Sequence, residues 1–386
     1  MYLIFLTKKN IELIDMDAHE RIFKTLEHEE PDRVPTFAQV FDYPFTKKVL
    51  KKMGVDNIAN KHLSKHMMYE AALYMGFDSI WYHYERIRTH SHKKPEVPEE
   101  ILKKYNIKSY TEWAHYYDGE WYRDGVLKTP ELLREWIDYI NTWEPAGEIH
   151  FKSFKKIWDH YLERGLVTIP TGSSVAFMSW SMIGINRFAY MVRKHFNLVK
   201  ELAKSLGRIT KELQNCLFEK GIDLVYICDD WALKGSTIFN PKHWNEIITP
   251  VYKDLANNAH KHDAKLLIHS DGNVSETIPY LINAGVDAID PLEYESGLRL
   301  KPLKKEFGAD ICLIGNISAT YVLTYGSIEA TIEATKQALQ DAAIGGGFIL
   351  GAGSDILSTC KYENVKAMVD TVKKYGNYPI GRLIEK

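Results

Sequence analysis

The sequence predicts an α/β protein built as a (β/α)8 TIM barrel, and three observations lead there. Strand candidates begin near residues 34, 78, 166, 223, 265, 288, 310 and 347, which makes eight. Most are followed by a stretch of helical periodicity. The later ones are short continuous apolar runs, the pattern of a parallel sheet buried on both faces. Eight alternating units close into a barrel. A doubly wound open sheet is the runner-up, but it needs a switch-point crevice and usually has fewer strands.

In chain order, Asp17 or Ala18 opens an N-terminal helical extension with Ile22, Phe23 and Leu26 on one face, ending before Pro31-Asp-Arg-Val-Pro35. Val34 to Val40 reads as the first strand, and His66 to Met75 as a helix stopped at Gly76. Asp78 to Tyr84 follows as the second strand. Residues 88–164 then form a long insertion after strand 2, rich in Lys, Glu, Tyr and Trp and lid-like in position. Within it, Trp113 to Asp118 and Glu120 to Asp124 flank Asp118-Gly119, a tight-turn hairpin signal. The whole chain, 1–386, reads as one barrel domain around this insertion.

From Leu166 the alternation is regular. Leu198, Leu202, Leu206, Ile209 and Leu213 mark a long amphipathic helix closed by Gly221, before a strand from Asp223 to Cys228. Asn240-Pro241 pairs an N-cap with proline at the first helical position and opens a helix towards His260. Lys265 to His269 is a strand, followed by a helix to about Asn283 and Gly285 beyond it. Short strands at Ala288 to Leu292, Asp310 to Gly315 and Gly347 to Gly351 complete the set, with Ser327 capping the helix before the last.

Composition narrows the function classes. The chain is 45% hydrophobic and 26% charged, ordinary for a globular protein, and its net charge of -2 gives no overall field for nucleic acid or anionic membrane. Cys216, Cys228, Cys312 and Cys360 form no C-x-x-C pair, which argues against a disulfide framework or zinc knuckle and fits a reducing, cytoplasmic setting. The apolar opening Met1 to Leu6 is too short for a signal sequence or membrane span. No P-loop, G-x-G-x-x-G or H-E-x-x-H occurs.

A barrel carries its site where its strands end, so the residues just past each apolar run matter most. They are Gln39 and Asp42, then Tyr82, His83 and Glu85, then Asp229, Asp230 and Trp231. His269 and Asp271, Asp290 and Glu293, Asn316, and Ser354 with Asp355 follow. His269 and Asp271 are two apart at a strand end, so both face one side before Gly272 turns the chain. An imidazole beside a carboxylate suits proton transfer or metal binding. His269, Asp271, Asp229, Asp230 and Glu293 are the catalytic candidates, and Gln39, Tyr82, His83, Trp231 and Asn316 the candidates for binding a small-molecule substrate.

Pro31-Asp-Arg-Val-Pro35, Cys228-Asp-Asp-Trp231, His269-Ser-Asp-Gly272, Gly285-Val-Asp-Ala-Ile-Asp-Pro291, Gly315-Asn316, Gly345-Gly-Gly-Phe348 and Glu363-Asn364 resemble, in this order, the uroporphyrinogen decarboxylase superfamily. The resemblance spans nearly the whole chain and implies a (β/α)8 barrel, often a homodimer. It also implies either decarboxylation of a porphyrinogen or zinc-dependent methyl transfer with corrinoids. The arginine segment that holds substrate carboxylates in the decarboxylases is missing from Thr36 to Pro44, and an acidic mouth repels a polycarboxylate. The methyltransferase branch is therefore expected.

That branch holds zinc through His-x-Cys and a later Cys, which fall on His269, Asp271 and Ser354, so the histidine is kept and both thiolates are replaced. Oxygen donors leave zinc a stronger Lewis acid, suited to polarising a methyl ether oxygen. The expectation is methyl transfer from an O-methylated or similar donor to a corrinoid on a partner protein. The D-x-H-x-x-G corrinoid signature is absent; Asp17-Ala-His19 is its nearest fragment, with Ile22 where the glycine belongs. A carboxy-lyase and a non-catalytic small-molecule-binding barrel are the alternatives.

Overall fold

The computed structural model describes residues 16–55, 65–83, 99–106, 111–116, 119–143, 152–172 and 174–380. Ten strands are β1 (Thr36–Ala38), β2 (Ser79–His83), β3 (Thr111–Tyr116), β4 (Gly119–Gly125), β5 (Val167–Gly172), β6 (Leu224–Cys228), β7 (Lys265–His269), β8 (Ala288–Asp290), β9 (Cys312–Ile317) and β10 (Phe348–Ala352). Eight of them close a parallel barrel in the order β1-β10-β9-β8-β7-β6-β5-β2. These are the eight sequence candidates, and β3 and β4 are the hairpin of the insertion, paired antiparallel. β1 is shorter than the predicted Val34 to Val40 run, and its start is set back by Pro35, which cannot donate to a ladder.

Helix boundaries follow the local chemistry. Asp17 caps the first helix (Ala18–Leu26), its carboxylate accepting from Glu20 N at 2.8 Å. Ser327 caps the helix Ile328–Ala342 in the same way. The helix expected from Asn240 to His260 is two, Pro241–Ile247 and Thr249–His260, broken at Ile248 ahead of Pro250. The insertion is tied to the barrel side: Arg187 pairs with Asp124 and Leu127 N donates to Met182 O at 2.9 Å.

At the N-terminal end of the barrel, Pro31-Asp-Arg-Val-Pro35 forms an ionic clamp. Asp78, just before β2, accepts from Arg33 Nη2 at 2.6 Å, Arg21 Nη1 at 2.8 Å and Thr36 Oγ1 at 2.9 Å. Arg21 also meets both Asp32 oxygens at 2.7 Å. Burial opposes ionisation of Asp78, yet the two guanidinium groups hold its carboxyl below the usual range. Among the described residues no helix is long and apolar enough to cross a membrane.

Candidate functional site at the barrel mouth

Side chains alternate along a strand, so every second residue faces the barrel axis. Phe37, Trp81 and Tyr226 form an aromatic floor, with Tyr226 5.9 Å from Phe37 and 5.1 Å from Trp81 between ring centroids. His269 lies against this floor, 5.6 Å from the Trp81 ring. β6 and β7 run in register with Cys228 opposite His269. Cys228 and Asp230 share a parity with Tyr226, as His269 and Asp271 do with Leu267.

His269 is held by carboxylates on both ring nitrogens. Nδ1 donates to Asp290 Oδ2 at 2.8 Å, and Nε2 stands 3.4 Å from Asp230 Oδ1 and 3.9 Å from Asp271 Oδ1. Asp290 Oδ2 also accepts from Gln39 Nε2 at 3.0 Å and from the Tyr226 hydroxyl. Burial works against charge on the imidazole, but hydrogen bonds to Asp230 and Asp290 hold its pKa well above the ordinary value. Burial, with the carboxylates of Asp230, Glu293 and Asp290 adding to it, pushes Asp271 up to about 6. Burial, with the carboxylates of Asp271, Asp290 and Asp230 adding to it, likewise pushes Asp355, just beyond β10, up to about 7. The Cys228 thiol is held well above its usual value by burial and by Asp230 and Asp229.

The structure corrects several expectations about this mouth. Asp229 has the opposite parity to Asp230 and points into the wall. It accepts from the backbone N–H of Val175, Ala176 and Phe177 and from the Tyr252 hydroxyl, capping the helix Ala176–Ile183. Trp231 is buried, bonded through Nε1 to Thr277 Oγ1 at 3.0 Å and packed on Trp244 and Tyr252, so it lines no donor pocket. Asn316 is also buried and donates to the carbonyls of Leu292 and Leu298, stitching β9 to the loop after β8. Gln39 reaches the centre through Asp290.

Glu293 acts on the turn itself. Its Oε2 accepts from Gly272 N at 3.1 Å and Ser296 Oγ at 2.5 Å. Gly272 has φ +88°, and a Cβ there would stand 2.6 Å from the Ala232 carbonyl carbon, so only glycine fits. Ser354 is half-buried just past β10, where Gly353 N donates to Ile317 O at 2.7 Å. The side chains of Tyr82 and His83, and all of Glu85, lie outside the described residues.

Among the described residues one group could hold a metal: Cys228 Sγ, an Asp230 oxygen and a His269 nitrogen, all within 4.8 Å of one another. Sequence reasoning missed Cys228, whose signal was its place at the end of β6, beside His269 on the adjacent strand.

An eight-stranded barrel with a histidine and carboxylates gathered at the strand C-termini defines the class of β/α barrels that do their work at that mouth. Within that class, the chain belongs to the uroporphyrinogen decarboxylase family, whose pattern, described as uroporphyrinogen decarboxylase (URO-D), matches residues 155–375. No curated protein matches the sequence. A solved methyltransferase from Methanosarcina mazei is similar in fold, with 17% identity, a TM-score of 0.63, and coverage of 94% of this chain and 99% of that one. D-psicose 3-epimerase from Clostridium cellulolyticum H10, solved with D-tagatose, gives 8% identity, a TM-score of 0.40, and coverage of 83% and 94%.

Proposed function

We propose that this protein is a methyltransferase that takes a methyl group from an O-methylated or similar small molecule and passes it to a corrinoid carried by a partner protein, with a zinc ion at the mouth. The observation that carries this reading is the setting of His269. Its Nδ1 is committed to Asp290, which leaves Nε2 turned to the mouth beside Asp230 and Asp271. A carboxylate behind a histidine in this way fixes the tautomer and orients the ring for a metal.

The residues fit zinc. The donors are imidazole, thiol and carboxylate, and beside them buried Asp271 Oδ1 has no hydrogen-bond partner among the described residues. A bound zinc ion would supply Lewis acidity that polarises the donor oxygen. The chain's own groups do the rest. Asp290 fixes His269 from below, and Glu293 holds the Gly272 turn so that Asp271 stays at the rim. Trp81 and Tyr226 keep water from the floor. As the methyl leaves, Asp271 and Asp355 are the partly exposed carboxylates in place to deliver a proton to the departing oxygen.

Support for a protein partner comes from the rim. Tyr321 and Tyr325, just after β9, are 64% and 76% exposed, and Tyr294, Leu233 and Leu357 are exposed on other loops at the same end. The test is a screen of methoxylated compounds with reduced cob(I)alamin, followed by mass spectrometry for methylcobalamin. One or more donors should react with wild type and not with His269→Ala. Release of CO2 from a porphyrinogen, with no methyl transfer from any donor, would reverse the assignment to the decarboxylase alternative. Binding of a methoxylated compound with neither reaction would favour the non-catalytic barrel.

A further inference from the structure

We infer that the metal's protein ligands are Cys228, Asp230 and His269, so that the thiolate comes from β6 rather than from the positions of Asp271 and Ser354, onto which the cysteines of the methyltransferase branch fall. This deepens the function proposed above, on which it rests only for the expectation of a metal.

Three features point to this set. The first is spacing. Two donors on one tetrahedral zinc, with bonds of about 2.0–2.3 Å, stand roughly 3.3–3.7 Å apart. His269 Nε2 and Asp230 Oδ1 are 3.4 Å apart, long for a charged hydrogen bond and right for two ligands of one ion. All three donor atoms lie within 4.8 Å of one another, so closing round an ion needs only small side-chain shifts.

The second is orientation. Cys228 and His269 are register partners on adjacent parallel strands, and Asp230 follows Cys228 on the same face. The ligands therefore come from rigid strand ends rather than from a long loop. The third is support from behind. Asp290 holds His269 Nδ1 at 2.8 Å, and the backbone N–H of Asp271 donates to Asp230 Oδ1 at 3.0 Å, so two of the three ligands are oriented by neighbours. Cys228 would bind as the thiolate, its proton passing to solvent, and the three residues would supply one sulfur, one oxygen and one nitrogen donor.

Full-length protein is stripped of metal and loaded with zinc or, as a spectroscopic probe, Co(II). Wild type is expected to bind one ion per chain and to show a thiolate-to-cobalt charge-transfer band. Cys228→Ala and His269→Ala should lose zinc affinity by more than about 100-fold, and Asp290→Asn, which removes a supporting group, by roughly 10–100-fold. Cys228→Asp keeps an anionic ligand, so it should retain the ion and lose the band, which separates a missing thiolate from a misfolded chain. Asp271→Asn and Ser354→Ala should keep both ion and band.

A band that survives Cys228→Ala, or an ion lost only in Asp271→Asn and Ser354→Ala, would overturn the assignment. Zinc held through Cys228 with no methyl transfer from any donor would leave this site standing and sink the proposed function. Methyl transfer by wild type that binds no zinc or cobalt at all would sink this site and leave the transfer reaction standing without its metal.

Discussion

The two ends of the barrel bury carboxylates under opposite terms. At the closed end Asp78 is 3% exposed and meets two guanidinium groups and Thr36, so it stays ionised below the usual range. At the mouth Asp271 and Asp355 share their space with Asp230 and Asp290, and the cation they face is His269. Their carboxyl groups are pushed up to about 6 and about 7. Desolvation acts at both ends, and the difference lies in compensation. The closed end uses charge to hold the fold, whereas the mouth keeps an excess of negative charge that a bound cation would relieve.

The comparison can be broken most sharply at Asp78. Removing one partner from a buried ion network leaves uncompensated charge, and Asp78→Ala should cost about 3–5 kcal/mol in urea unfolding at pH 7. A loss under about 1 kcal/mol would mean that the clamp is ornamental. The pH dependence has a defined sign. Asp78 and Asp32 are depressed in the fold, so their contribution is complete above an unfolded pKa of about 3.9 and disappears as pH falls through the folded values. Asp78→Asn should remove part of that acid sensitivity.

At the mouth, the next effect is that of the ion. Zinc at one hundred times its Kd should raise the unfolding free energy of wild type by about 2.7 kcal/mol and leave His269→Ala unchanged, as read by chemical denaturation with and without metal. In zinc-free protein Asp355 acts with the opposite sign to Asp78. Its raised pKa means that the folded chain keeps a proton the unfolded chain has lost between about pH 4 and 7, so stability falls as pH rises through that window. Asp355→Asn should flatten this slope, matching wild type at pH 4 and exceeding it at pH 8.

The smallest stability effect belongs to the rim. Tyr325→Ala should change unfolding by less than about 0.5 kcal/mol while weakening capture of the proposed corrinoid partner in a pull-down. Undiminished capture, with Tyr321→Ala also inert, would remove the rim from the docking surface.

The barrel was readable in the sequence because each strand is a short apolar run between turn signals, and backbone periodicity survives without knowledge of neighbours. Helix starts at Asp17, Asn240 and Ser327 were readable for the same reason, since a cap is local chemistry. The mouth was only half readable. Parity alone separates Asp230 from Asp229, but treating both as strand-end residues hid that one faces the axis and the other the wall. Cys228 was judged against disulfide and knuckle spacings, which are patterns along one chain. Its relation to His269 is a register between strands forty-one positions apart, and no single-strand pattern encodes that. Trp231 and Asn316 misled because an aromatic and an amide at strand ends can just as well bridge elements as face a ligand.

Asp229 has a consequence for how such a site can change over time. Its carboxylate ties the end of β6 to the helix after β5 and to Tyr252, one residue from the mouth-facing Asp230. The residue that anchors the wall and the residue that faces the mouth are thus neighbours in sequence with different duties. A substitution at position 230 therefore alters the mouth and the Asp271 turn without touching the caps that Asp229 supplies. Position 229 itself carries the opposite constraint, because a change there undoes three backbone caps and a buried tyrosine at once.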